Sequence, residues 1–215
     1  MEVRRWNVSK VANGIRSPRF SRFSPSPRIL PWKDVRRLLN DSRFSKPVDL
    51  RASAISFLCS IYGLRSSEVV NLSLDDFDWI NETFIVRRAK RGRIQQYPIQ
   101  FEVGEIILRY LQHGRPRSSC RHVFLTLKPP YRPVSPATLW TIFENRIQRL
   151  GLELEPFGAH TLRRACATEL LRKGSSLQDI ADFLGHRDLQ SVSIYAKYDI
   201  RTLKKVEAFG LGGLR

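Results

Sequence analysis

Four histidines occur among the 215 residues, and two of them sit where a proton could be handled. His160 stands in HTLRR with Arg163 three residues on, a spacing that puts both side chains on one face of a helix. His186 follows Gly185 in LGHRD, at the end of an amphipathic pattern, and Tyr195 comes nine residues later in VSIYAKYD. Arg65 follows Gly63 and Leu64 at a break between two helical patterns, with Glu68 one turn on. A buried helix junction is a costly place for an unpaired guanidinium, so Arg65 either pairs with Glu68 or faces an anion. The stretch RRAKRGR packs Arg87, Arg88, Lys90, Arg91 and Arg93 together, a density of repelling charge that makes sense beside phosphates.

Two arginines, a lysine, two histidines and a tyrosine suit one reaction in particular. A phosphodiester attacked by an oxygen nucleophile gathers negative charge on its non-bridging oxygens. Two guanidiniums can clamp those oxygens, the electrostatic role a divalent metal plays elsewhere. Nearby positive charge eases a tyrosine, with an ordinary pKa of about 10, toward the phenolate. The leaving sugar hydroxyl needs a proton, which a lysine on a hairpin could deliver. A protein–phosphate ester conserves the bond energy, so the break can be resealed without ATP. The Asp and Glu clusters of a metal nuclease are missing. His113 and His122 lie in loop-like sequence, and Cys120-x-His122 lacks further ligands at zinc spacing. Neither metal nor cofactor is expected.

The rest of the chain must position those groups next to a polyanion. Lys and Arg number 37 against 20 Asp and Glu, a net +17, which points to nucleic acid or an acidic membrane surface. Apolar residues make up 42%, enough for a real core. Cys59, Cys120 and Cys166 are too far apart for a disulfide framework. The N-terminus has no apolar signal region, and no stretch is long enough for a bilayer span. A cytoplasmic protein with no membrane partner is expected.

Residues 1–30, rich in Pro, Ser and Arg, read as an extended basic arm or linker. Helical periodicity then predicts a helix from Pro31, another over 48–62 ended by Gly63, and a short one in SSEVVNL. Aromatic and β-branched residues around turns at Asn81 and Gly92 predict an antiparallel meander over 77–80, 83–87 and 94–99. A helix over 103–112, an apolar stretch HVFLT, and a helix from the N-cap Ser135 to about 150 come next. Four short helices close the chain: 159–173, one opened by a Ser176/Asp179 capping box and ended at Gly185, 188–198, and 201–209. The fold class is mainly α (α+β), with one small three-stranded sheet.

YGLRSSEVVNL, FIVRRAKRGRIQQYPI, HTLRRACATELLRKG and LGHRDLQSVSIYAKY resemble, in order, the boxes of the tyrosine recombinase (phage integrase-like) family. The resemblance runs from about Pro31 to the C-terminus and implies a catalytic domain over 31–215. It makes Arg65 and Arg163 the phosphate-clamping arginines, and His160 and His186 hydrogen-bonding and proton-handling partners of the scissile phosphate. Lys90, eight residues before Pro98, becomes the general acid, and Tyr195 the nucleophile that forms a 3′-phosphotyrosyl link. Tyr198 is a nearby decoy. Arg87, Arg88, Arg91, Arg93, Arg164 and Arg187 are expected on the DNA. The implied partner is double-stranded DNA, with strand exchange in a homotetramer. Two features depart from the family: no helical core-binding domain precedes the catalytic pattern, and Arg164 stands where many relatives have histidine. The tail VEAFGLGGLR resembles a segment that relatives pack on a neighbouring protomer. The rival readings are a non-cutting DNA-binding remnant, a relaxing topoisomerase with the same chemistry, and a generic RNA-binding basic protein.

Overall fold

The computed structural model describes residues 30–40, 46–88, 94–152 and 158–185. Its elements run α1 (Trp32–Leu39), α2 (Pro47–Ile61), α3 (Ser66–Val70), a 3-10 turn (Leu74–Asp76), β1 (Phe77–Asp78), β2 (Thr83–Arg87), β3 (Ile94–Pro98), α4 (Phe101–His113), α5 (Pro136–Arg149), α6 (Ala159–Arg172) and α7 (Leu177–Leu184). This is the expected mainly helical chain with one small antiparallel sheet. The helices expected over 188–198 and 201–209 lie outside the described residues, as does the arm up to residue 29. Leu30, the last residue assigned to that arm, is buried in the core.

Helix α2 is the axis of the fold, packed against α1, α4, α5 and α6. Leu50, Ala54, Ile55, Leu58 and Cys59 are buried, and so are Ser53, Ser56 and Ser60 on its other faces. The small serines let neighbouring helices approach. Ser56 donates its hydroxyl one turn back to the Ala52 carbonyl (2.8 Å), so that buried donor is satisfied. Burying one Leu or Ile contributes about 1.5–3 kcal/mol, against tenths from helix propensity. Packing therefore holds α2 in place.

The sheet has the order β1–β2–β3, antiparallel throughout, with Phe77 opposite Phe84 and Phe84 opposite Tyr97. These aligned rings stack at 5.3 and 5.6 Å and meet Tyr62, at the end of α2, 4.9 Å from Phe84. Tyr62 also donates its hydroxyl to the Pro98 carbonyl (2.8 Å) and accepts the Gln100 N–H (2.9 Å). The sheet is thus pinned against the last turn of α2, just before the Gly63 junction.

The expected elements differ in detail. The strand expected over 77–80 stops at Asp78, whose carboxylate accepts the N–H groups of Ile80 and Asn81 and draws the backbone into a turn. HVFLT joins the core through Val123, Phe124 and Leu125 but makes only isolated bridges, Ser73 with His122 and Leu125 with Pro133. The caps form as expected: Ser135 accepts the Thr138 N–H (3.1 Å), and Ser176 and Asp179 form their box. Among the described residues no helix is long and apolar enough to cross a membrane, and no three His, Cys, Asp or Glu side chains are grouped to hold a metal ion.

Candidate active site

Gly63, with φ +60°, reverses the chain after α2 in a backbone region that L side chains rarely adopt. A Cβ there would run into Leu184 and come within 3.5 Å of the Arg163 Cγ. This tight junction joins the end of α2, the middle of α6 and the last turn of α7. Arg65, two residues on, is the N-cap of α3.

Glu68 then faces back toward Arg65. Its carboxylate accepts the Arg65 backbone N–H (2.8 Å), the Arg65 Nη1 (2.7 Å) and the Arg88 Nη1 (2.7 Å). Burial alone would push the Glu68 carboxyl up, but the Arg65 N–H and the Arg88 guanidinium more than offset it and hold it below the ordinary carboxylate range. Of the two outcomes open for Arg65, the ion pair forms, yet a third of the Arg65 side chain stays accessible. Glu68 therefore orients Arg65 without enclosing it.

Arg163 is 2% exposed. A buried cation is expensive unless its donors are met. Here Nη1 donates to the Gly63 carbonyl and Nη2 to the Leu184 carbonyl (2.6 Å). The second acceptor is at the carbonyl end of α7, where the helix dipole favours a cation. One turn back on α6, His160 lies at the surface. Burial of its inner side, then the charges of Arg164, Arg163 and Arg65, push its imidazole below the ordinary value. His160 is accordingly neutral at pH 7, able to donate one hydrogen bond and accept another. Arg65, His160, Arg163 and Arg164 thus share one electrostatic neighbourhood.

The expected set is only partly covered. Lys90, His186 and Tyr195 lie outside the described residues, as do Arg91, Arg93 and Arg187. Arg87 is more than half exposed and pairs with the buried Asp76. Arg88 differs from its expected place on the DNA-facing surface: it is 6% exposed, and each of its guanidinium nitrogens is engaged within the protein. Alternation explains this, because Phe84 and Val86 point into the core and Arg88 shares their phase. Sequence reasoning also missed Gln95 and Tyr97, in the matching phase on β3. Gln95 donates to the Asp182 and Phe183 carbonyls (2.9 and 3.1 Å), and Tyr97 donates to Phe183. Burial pushes the Tyr97 phenol up to about 12, which keeps it a donor.

Comparison with known proteins identifies the family of the chain. The profile of the phage integrase family matches residues 28–201, and the chain belongs to that family. It is 41% identical over 183 residues to a protein of Sinorhizobium fredii named as an integrase/recombinase, y4rA, covering 85% of this chain and 44% of that one. It is 31% identical to the tyrosine recombinase XerD of Listeria monocytogenes, covering 84% of this chain and 61% of that one. The chain therefore spans about half the length of these relatives. The XerH site-specific recombinase, solved in a post-cleavage complex with a palindromic difH substrate, superposes with a TM-score of 0.71 at 23% identity, covering 85% of this chain and 53% of that one. This last is a likeness of fold.

Proposed function

We propose that residues 31–215 are the catalytic domain of a tyrosine-type site-specific recombinase that cleaves and rejoins double-stranded DNA. The observation that carries this reading is the gathering of Arg65, Arg163 and a neutral His160 around the Gly63 junction, with Glu68 orienting Arg65. Arg65, a third of it accessible, can offer its guanidinium to a non-bridging oxygen of the phosphate, and Arg163, held by the Gly63 and Leu184 carbonyls, adds its charge from behind. The Tyr195 Oη attacks phosphorus; the Oη–P bond forms and the P–O5′ bond breaks. Lys90 gives the leaving 5′-oxygen its proton. His160 and His186 hydrogen-bond the phosphate through the transition state, and reversal of the same steps reseals the strand. No metal is needed, because the guanidiniums carry the charge. Arg87, Arg91, Arg93, Arg164, Arg187 and the basic arm supply backbone contacts, and exchange between two duplexes proceeds in a tetramer.

The test is a panel of nicked suicide duplexes of candidate target sites, incubated with the protein in EDTA and run on a denaturing gel. A covalent adduct forms, Tyr195→Phe abolishes it and Tyr198→Phe does not. Loss of cleavage on chelation would overturn the reading in favour of a metal nuclease. Relaxation of supercoils without a paired site would favour a topoisomerase. Binding without any adduct would favour the DNA-binding remnant.

A further inference from the structure

Three side chains of the β2–β3 hairpin converge on the carbonyl end of α7, and Arg88 is the one that also reaches Glu68. Its Nη1 is 2.7 Å from the Glu68 Oε2, while Nε and Nη2 meet the Gln95 Oε1 at 3.1 and 2.8 Å. Nη2 also donates to the Tyr97 hydroxyl and to the Phe183 carbonyl (3.2 Å). The guanidinium passes so close to Gly185 that a Cβ there would come within 3.1 Å of its Cζ. In sequence, Lys90 stands two residues beyond Arg88, and His186 one beyond Gly185. One planar group therefore ties together the acid behind Arg65, the base of the hairpin that carries Lys90, and the helix end that leads into His186.

We propose that Arg88 is a positioning residue for cleavage, setting the Lys90 hairpin in register with the Arg65–Glu68 pair by bridging Glu68, Gln95 and the end of α7. This inference rests on the cleavage chemistry above and deepens it. Lysine at this position could keep the contact with Glu68, but a single ammonium cannot span both edges as the guanidinium fork does. Arg88→Lys should therefore fold, retain the Arg65–Glu68 pair and cut the link from Glu68 to Gln95, Tyr97 and the end of α7.

The experiment separates proton delivery from everything else. Cleavage rates are compared on the duplex that gives the wild-type adduct and on the same duplex with a 5′-bridging sulfur at the scissile phosphate. A thiol, with a pKa of about 8.5, leaves without a donated proton, whereas a sugar hydroxyl does not. Arg88→Lys should cleave the oxygen duplex about tenfold or more slowly, and the sulfur duplex within about threefold of wild type. Lys90→Ala should show the same pattern, while Arg163→Ala should be slow on both. Equal slowing of Arg88→Lys on both duplexes, or none on oxygen, would overturn the proposal. Should Arg88→Lys fail to fold, the half-buried Gln95→Ala, which removes the bonds to Asp182 and Phe183, takes the same two-duplex test and is judged by the same outcomes. Failure of the underlying chemistry looks different: the wild type forms no adduct on either duplex, or Tyr195→Phe still forms one.

Discussion

Replacing Glu68 by glutamine isolates the charge at the centre of the site while keeping its shape. The carboxylate accepts three hydrogen bonds, two of them from guanidiniums. The amide keeps one acceptor oxygen and turns an N–H group toward a cation. Arg65 is partly solvated, so its lost pairing contributes little. Arg88 is buried and would be left facing neutral acceptors. Breaking one side of a buried pair costs about 3–5 kcal/mol, and a retained hydrogen bond returns about 1. The expected loss is about 2–4 kcal/mol at pH 7. In urea, with a slope of about 2–3 kcal/mol/M, the unfolding midpoint should fall by about 1 M. The pH dependence supplies a second signature. The folded carboxyl lies below its ordinary value, so its contribution is complete above the unfolded pKa and is lost as pH falls through the folded one. The gap between wild type and Glu68→Gln should hold steady from pH 7.5 to 5.5 and close below about pH 4. A midpoint within about 0.2 M of wild type, or a gap that widens on acidification, would refute the reasoning.

Gly63→Ala should destabilise by about 2–4 kcal/mol in the same titration, because left-handed backbone and overpacking against Leu184 add together. Gly174→Ala, at φ +90° with open space around it, should lose only the backbone share, about 1–2 kcal/mol. His160 has a folded pKa below its unfolded value, so between the two the unfolded chain binds more protons. Thermal scans from pH 7.5 to 5.5 should show wild type losing stability relative to His160→Gln as pH drops below about 6.5. Burial pushes the Cys59 thiol up and the Cys166 thiol up to about 12, leaving the half-buried Cys120 as the reactive one. A thiol reagent at pH 8 should modify one of the three cysteines in native protein and all three after unfolding, and Cys120→Ser should abolish the native reaction.

Periodicity made the helices legible because they are long enough to display a face or strong enough to show a cap, as with Ser135 and Ser176. The Arg65–Glu68 pair was legible as well, since i,i+3 spacing at an N-cap brings such side chains together. Arg88 was not read correctly, because local charge density says nothing of which way a strand's side chains point. The phase of Val86 and Phe84 carried that information, two and four residues away. Gln95 and Tyr97 offered only the strand phase they share with Arg88: their other partners, Asp182 and Phe183, are more than eighty residues on and are backbone carbonyls. A main-chain acceptor leaves no trace in residue identity.

The knot around Arg88 sets a rule for anyone who exchanges hairpins between relatives. A graft that takes the whole of β2 and β3 imports a foreign anchor and unfastens the recipient's own α7. Splicing between Arg88 and Gln95 keeps both fastenings native, so those two residues mark where the transferable part of the ribbon begins and ends.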